Sequence, residues 1–337
     1  MDLMLHPRIK QTIQILISLA IAVWIFWFLY KDIEFNSLVE QIFSSNWAWI
    51  GLSLAIALGG YALRGWRWTL LIQENEGKKV TLSDAYHAVM VGYLANMIVP
   101  RAGEVARCGV LSRTNGISIG HLLGTVILER SIDLLFLIAT ILLAFLVENE
   151  LFLNLAGQLV DLDNLGAKLI QNLPLVLGGI LVFCLVIYFI LRRFRDNGFI
   201  QKVQHFLREL YSGIKGISTL KNPMGFWLSS VVIWLIYFLT MYTVALGIQS
   251  TANLSSGEVL LVMVMGSIGM VAPVQGGIGT FHALVAFILI QLGISEVDGK
   301  IFAAIIHGTQ VILVLVAGLI SWVIMIQKPA WIKPDKS

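Results

Sequence analysis

Six stretches of this chain, 12–30, 47–64, 121–147, 174–191, 224–248 and 300–326, stay apolar over about the 20 residues an α-helix needs to cross a hydrocarbon core. Five of them carry at most one charged residue, and the sixth, 121–147, holds Glu129, Arg130 and Asp133. A chain so built folds in water only by leaving most of its apolar surface exposed. Composition agrees: 13% of residues are charged, against about a quarter in soluble domains. Disordered, collagen-like and disulfide-stapled classes are excluded on the same grounds. The expected fold is therefore all-α, a polytopic helical membrane protein. No segment between spans is long enough to enclose a core of its own, so residues 1–337 form a single integral membrane domain. The run 12–30 follows His6, Arg8 and Lys10 as a signal peptide would, but it is too long and ends in bulky aromatics. It reads as an uncleaved first span. Cys108 and Cys184 fit neither a redox nor a zinc spacing and read as buried free thiols.

Tryptophan and tyrosine flank the spans (Trp24, Trp27 and Tyr30; Trp47 and Trp49; Trp66 and Trp68), as interfacial anchors do. Two further apolar stretches, 84–99 and 259–272, are short for a span, and each ends at a proline that should break its helix. If each is one arm of a re-entrant hairpin, nineteen of the 23 basic residues fall on one face. They include Arg64, at the end of the second span, and Arg67, just past it. The opposite loops keep Lys31, Lys168 and Lys300 among ten acids. The positive-inside rule then sets both termini in the cytoplasm of a plasma (inner) membrane protein. Segment 198–221 spaces Phe199, Val203, Phe206, Leu210 and Ile214 helically against Lys202, Arg208 and Lys215. It reads either as an amphipathic helix on the inner leaflet or as a basic loop.

The two short stretches end alike. Met97-Ile-Val-Pro100-Arg-Ala-Gly103 and Met270-Val-Ala-Pro273-Val-Gln-Gly276 share M-x-x-P-x-x-G, about half a chain apart. With the hairpins entering from opposite sides, halves 47–147 and 224–326 would be inverted repeats. Broken helices leave backbone groups unpaired at membrane depth, which is tolerated where protein or water covers them. Paired breaks in corresponding halves point to a transporter's binding site, and helix N-termini after such turns favour phosphate or carboxylate. The alternative is a pair of tight corners in a buried bundle.

Within 121–147, His121, Thr125, Glu129 and Asp133 recur every fourth residue and form one polar stripe, with Arg130 beside it. Ionisable groups in a span face the bundle interior and pair there; the alternative is a cluster near the helix entry that snorkels to the interface. Arg101, Glu104 and Arg107, spaced by three, would put plus, minus and plus on one helical face. Glu104 is then expected to pair with Arg130, and Arg101 or Arg107 to face Glu129 and Asp133. In the second half the matching polar positions are milder: Gln275, His282, His307 and Gln310, with the histidines readable as hydrogen-bonded packing residues. The expected binding set is Arg101, Gly103, Glu104, Arg107, Glu129, Arg130 and Asp133 from the first half. From the second it takes Pro273, Gln275, Gly276, Gly277 and His307.

The runs Val99-Pro-Arg-Ala-Gly-Glu-Val-Ala-Arg107, Val126-Ile-Leu-Glu-Arg-Ser-Ile-Asp133 and Ala272-Pro-Val-Gln-Gly-Gly-Ile-Gly279 resemble the transmembrane region of lysylphosphatidylglycerol synthases and the wider flippase-like family. The resemblance covers nearly the whole chain. It implies a polytopic bundle associated with moving lipid-linked or aminoacylated lipids between leaflets. The chain departs from the synthases in one respect: only fifteen residues follow Trp322, too few for a cytosolic aminoacyl-tRNA-using domain. Lysyl transfer is therefore not expected.

Two functions compete at this stage. A lipid flippase would use the arginines to counter phosphate, since guanidinium binds it bidentately without losing charge. Its partner would be a membrane phospholipid or a polyprenyl-phosphate-linked lipid, and nothing points to nucleic acid. An intramembrane enzyme would use Glu129, Asp133 or His121 as acid or base. H-E-x-x-H and any metal constellation are missing from the sequence, so no cofactor or metal is called for. An accessory subunit without translocation of its own is the third reading.

Overall fold

Side-chain oxygens start most of the helices. Thr81 accepts from the Asp84 amide at 3.1 Å and opens α3, Leu82–Ile98. Asn222 accepts from Gly225 and opens α6, Pro223–Gly247, whose first residue is the proline that suits that position. Ser255 and Glu258 close a capping box on α7, Ser256–Val271, and Ser295 caps α9, Glu296–Gln327. The others are α1 (Phe35–Ser44), α2 (Trp47–Ile72), α4 (Gly103–Asn115), α5 (Ile119–Val147) and α8 (Thr280–Gln291), with a 3₁₀ turn at Gln275–Gly277. This computed structural model describes residues 20, 23–31, 35–72, 80–151, 217–218, 220–272 and 274–331. It divides into two compact units, 1–141 with 219–337, and 142–218. The packing below is that of the first unit.

Among the described residues four helices, α2, α5, α6 and α9, are long and apolar enough to cross a membrane. They coincide with four of the six expected spans; 174–191, residues 198–216 of the amphipathic segment, Cys184 and most of 12–30 lie outside the described residues. Large apolar side chains stay uncovered on these helices, among them Leu228 at 60% and Ile312 at 62% exposure. Such a surface belongs in lipid. Trp24, Trp27, Trp47 and Trp49 are exposed as anchors should be, but Trp68 is completely buried. The reason is that α2 does not stop near residue 64: it continues to Ile72, so Arg64, Arg67 and Trp68 lie inside a helix and not in a loop.

Lipid tails give apolar helices little reason to associate, so close backbone approach through small residues carries much of the packing. α2 runs antiparallel to α6: the Asn46 amide donates to Gly247 O at 2.7 Å, the Ser53 hydroxyl to Thr240 O at 3.0 Å, and Gly60 faces Ile236. Gly65 lies on the Ala85–Tyr86 backbone of α3, and Gly318 of α9 on Met90 and Leu94. Gly266 and Gly269 of α7 lie against Phe281 of α8.

Both short helices end at corners. At the first, Val99 caps α3, Arg101 takes a left-handed φ of 61°, and the Gly103 amide donates to Asn96 Oδ1 at 2.7 Å. A Cβ on Gly103 would stand 2.2 Å from the Gly92 carbonyl oxygen, so α3 and α4 can meet this closely only with glycine there. At the second, Gly276, Gly277 and Gly279 all have positive φ, conformations that side chains disfavour; Pro273 is outside the described residues. The corners touch. Gly276 lies under the Met97 thioether, and Arg101 Nη2 donates to Val271 O at 3.3 Å. Gly103→Ala is therefore expected to destabilise the fold by about 1–3 kcal/mol through backbone displacement. Gly109→Ala, with open space at its Cβ, should be neutral. Thermal unfolding of both variants in detergent reads the difference.

The other end of α9 is tied to the first hairpin. Arg113 donates to the carbonyls of Met325, Ile326 and Lys328, and Lys328 pairs with Asp84 in the first turn of α3. Burial alone works against ionised Asp84, but hydrogen bonds from Lys328, Asn115 and Thr81 outweigh it and hold the carboxyl below its ordinary range.

Candidate functional site

The polar stripe of α5 lies along α2, and each of its members finds a partner there. His121 Nε2 is 3.0 Å from Ile72 O, and Thr125 Oγ1 accepts from Trp68 Nε1 at 2.9 Å. One turn on, Glu129 Oε1 accepts from Arg64 at 2.9 Å and Arg67 at 3.1 Å. A further turn on, Asp133 accepts from Arg67 at 2.7 Å and Arg64 at 3.1 Å. The stripe ascends α5 as its partners descend α2, so the two helices are antiparallel. Arg107, from α4, donates to Glu129 Oε2 at 2.8 Å, and its guanidinium stands 4.6 Å from the Trp68 ring. Glu129 thus takes three charge-assisted bonds while fully buried. α6 completes the shell: Arg64 donates to the Tyr237 hydroxyl, and Arg67 to Ser230 Oγ at 3.1 Å.

Arg130 differs from the other three arginines. Its nitrogens are 3.8 Å from Glu104, 3.6 Å from Asp133 and 4.0 Å from Glu129, each beyond hydrogen-bond length, and its side chain is 43% exposed. Its ion pairs therefore leave its N–H groups uncommitted to those carboxylates. Glu104 Oε2 is buried without a hydrogen-bond partner among the described residues. Between these groups lies a small, partly open cleft lined by Val89, Gly92, Tyr93, Asn96, Gly103, Glu104, Arg107 and Arg130. Four arginines (Arg64, Arg67, Arg107, Arg130) face three carboxylates (Glu104, Glu129, Asp133). The cluster carries one positive charge in surplus.

Of the expected first-half residues, Gly103, Glu104, Arg107, Glu129, Arg130 and Asp133 come together here. Arg101 does not. It sits in the corner and not on α4, so the one-face spacing with Glu104 and Arg107 fails, and its guanidinium turns to Val271 O. Arg107 is the residue that meets Glu129. Gln275, Gly276, Gly277 and His307 gather at the second corner. There His307 Nε2 lies 2.8 Å from Gly276 O, and His282 Nδ1 accepts from the Gly279 amide at 3.3 Å, with the two rings 4.8 Å apart. These contacts hold the turn together. Tyr61 links the regions by donating to Gln310 Oε1 at 3.2 Å while its ring packs on Tyr93.

Sequence reasoning missed Arg64 and Arg67, the two most deeply engaged cations, along with Tyr93, Asn96, Ser230 and Tyr237. A signal existed: Arg64 and Arg67, three apart, match the four-residue spacing of Glu129 and Asp133 on another helix. Cys108 is free and buried, as expected.

A bundle of apolar helices with a buried arginine–carboxylate cluster beside a broken helix is that of an integral membrane protein. More particularly, residues 15–318 match the family described as the lysylphosphatidylglycerol synthase TM region, and the chain belongs to that family. It is similar to a protein described as a UPF0104 membrane protein from Methanothermobacter thermautotrophicus (strain Delta H). The two are 21% identical over 304 residues, covering 84% of this chain and 82% of the relative. No solved structure matches the chain.

Proposed function

We propose that this chain is a transporter, not an enzyme, that moves a phosphate-bearing lipid or lipid-linked headgroup between the leaflets of the plasma (inner) membrane. The observation that carries the reading is Arg130: a surplus, half-exposed cation at a cleft beside a broken helix, whose ion pairs are all too long to occupy its donors. Its planar fork suits phosphate. The enzymatic alternative loses ground because the carboxylates it needs are consumed. Glu129 accepts from three arginines and Asp133 from two, which leaves few of their lone pairs open to a substrate proton.

The shared M-x-x-P-x-x-G corners support inverted halves that would rock about the site. With Arg64 and Arg67 removed from the tally, the remaining basic residues still favour one face, in keeping with cytoplasmic termini. The test is lipid translocation in vesicles reconstituted with the purified chain, using acyl-labelled phospholipids and an impermeant quencher. The expected result is translocation well above that of protein-free vesicles; equal rates across all phosphate-bearing headgroups tried would overturn the reading.

A further inference from the structure

We infer that the second corner is a proton-binding site, with His307 Nδ1 as the acceptor, and that a proton taken up there travels with the lipid, an inference that rests on the transport reading and names its coupling ion. Both histidines are deep. His307 follows Glu296, the first residue of α9, by eleven positions, about 16 Å along the axis at about 1.5 Å per residue. That is close to the middle of a hydrocarbon core of about 30 Å. Histidines at such depth are rare and form proton relays. His307 and His282 are 7% and 3% exposed, with their rings 4.8 Å apart.

The turn fixes which nitrogen is open on each ring. Gly276 O lies 2.8 Å from His307 Nε2, and a carbonyl can only accept, so that nitrogen carries the hydrogen. The lone pair of the neutral ring is then on Nδ1, which takes no hydrogen bond among the described residues. His282 is wired the other way: its Nδ1 accepts from the Gly279 amide at 3.3 Å, so its hydrogen is on Nε2. A proton added to His307 keeps every bond of the corner and strengthens the one to Gly276, since charge-assisted hydrogen bonds are roughly twice as strong. A proton added to His282 would set a donor against the Gly279 amide and break the turn. His307 is therefore the carrier and His282 its neutral partner. The Phe281 ring stacks on His307 at 5.0 Å, within the distance at which an aromatic face attracts a cation.

The other groups around the pair are few. From residues 23–30 come Phe26 and Tyr30, whose rings are 5.4 and 5.7 Å from His282, and the Tyr30 hydroxyl donates to Lys300 O. On α9, Lys300 precedes His307 by two turns and pairs with Glu296 at 2.6 Å, while Asp298 is held by Gln41 of α1. α2 brings Tyr61, which donates to Gln310 one turn beyond His307. His282 is the one titratable residue of α8, and Glu258 of α7 sits in its first turn on the Ser255 cap. Among the described residues neither histidine is ion-paired, so a proton changes the corner by a full charge and is not trapped by a carboxylate.

That charge reaches the first corner by contact. Gly276 lies under Met97, and Arg101 holds Val271 O, so tightening the Gly276 turn acts on the end of α3 beside the cleft. Proton and headgroup then bias one element, and each changes the other's affinity by the same factor. The proton comes from water on one face, forms the Nδ1–H bond of an imidazolium, and leaves to water on the other; no other covalent bond changes. Carried with a phosphodiester anion, it moves no net charge against the membrane potential.

The test uses vesicles reconstituted with the full chain, trace acyl-labelled phosphatidylglycerol as a singly charged probe, and an entrapped pH dye. A gradient of about one pH unit is a ten-fold ratio of proton activity, so one proton per lipid should enrich the probe up to about ten-fold in the alkaline-side leaflet. His307→Gln keeps an N–H for Gly276 O but takes no proton, and should make probe and dye indifferent to the gradient. His282→Asn keeps an acceptor for the Gly279 amide and should preserve the sign of the response. A measurement without variants or transport accompanies these: in the full chain with ¹⁵N-labelled histidine, one imidazole should gain a proton at Nδ1 between about pH 8 and about pH 5, its Nε2 hydrogen staying protected from exchange.

Lipid movement indifferent to the gradient overturns the inference and spares the transport reading. So does a response undiminished in a folded His307→Gln chain, and so does the absence of that titration, whatever the variants do. If the imidazole titrates as described but lipid never moves, the proton site stands and the transport reading falls.

Discussion

Glu129→Ala is expected to abolish accumulation of folded protein. Glu129 is fully buried and is the shared acceptor of Arg64, Arg67 and Arg107, which are themselves nearly inaccessible. Removing one partner of a buried ion pair costs about 3–5 kcal/mol, because the other charge stays behind unpaired. Here three charges lose a partner at once, and the surplus on the cluster doubles. Against a total stability of about 5–15 kcal/mol, that is a large share. Glu129→Gln should be nearly as severe, since an amide oxygen accepts hydrogen bonds but cancels no charge. The discriminating variant is Glu129→Gln with Arg107→Met, which removes an opposite pair together and leaves Arg64 and Arg67 on Asp133. It should recover most of the loss, because buried ion pairs are often replaced by apolar groups at little net cost. Membrane-fraction yield and unfolding in detergent read the series. A Glu129→Ala protein that unfolds within about 1 kcal/mol of the parent would mean that the arginines are solvated in a way their burial does not allow.

The helices were legible because their signal is made of many residues. Four expected spans coincide with α2, α5, α6 and α9, and the prolines at 100 and 273 mark where two short helices stop. The polar stripe was legible too, since His121, Thr125, Glu129 and Asp133 share one helix and a four-residue period. What escaped was the partner face. Arg64 and Arg67 follow an apolar run and sit among Trp66 and Trp68, the local pattern of a span's interfacial end, and only the arrival of Glu129 and Asp133 on a neighbouring helix makes burial affordable there. No periodicity within α2 carries that information. Arg101 failed for the opposite reason: its spacing to Glu104 and Arg107 counts as helical only if the helix has begun, and the helix begins at Gly103.

Arg130→Ala should leave the fold intact and remove at least a hundred-fold of the transport rate. The two effects separate because Arg130's pairings are long and its side chain is 43% exposed. Pairs of that kind contribute about 0–1 kcal/mol to stability. Toward a phosphate the same guanidinium can offer two charge-assisted bonds, worth about 1.5–3 kcal/mol each in a poorly solvated site. Losing both, about 3 kcal/mol or more, corresponds to a hundred-fold or more, at about 1.4 kcal/mol for each factor of ten. Arg130→Lys keeps the charge but offers a point donor in place of a fork, so it should fall between, about ten-fold down. Without Arg130 the cluster is neutral, with three arginines against three carboxylates, and nothing remains to draw an anion into the cleft. The variants are compared in reconstituted vesicles at matched protein density, with unfolding midpoints measured on the same preparations. A folded Arg130→Ala protein that moves lipid at the parental rate would show that the surplus cation takes no part in recognition, and the transport site would have to be sought away from this cleft.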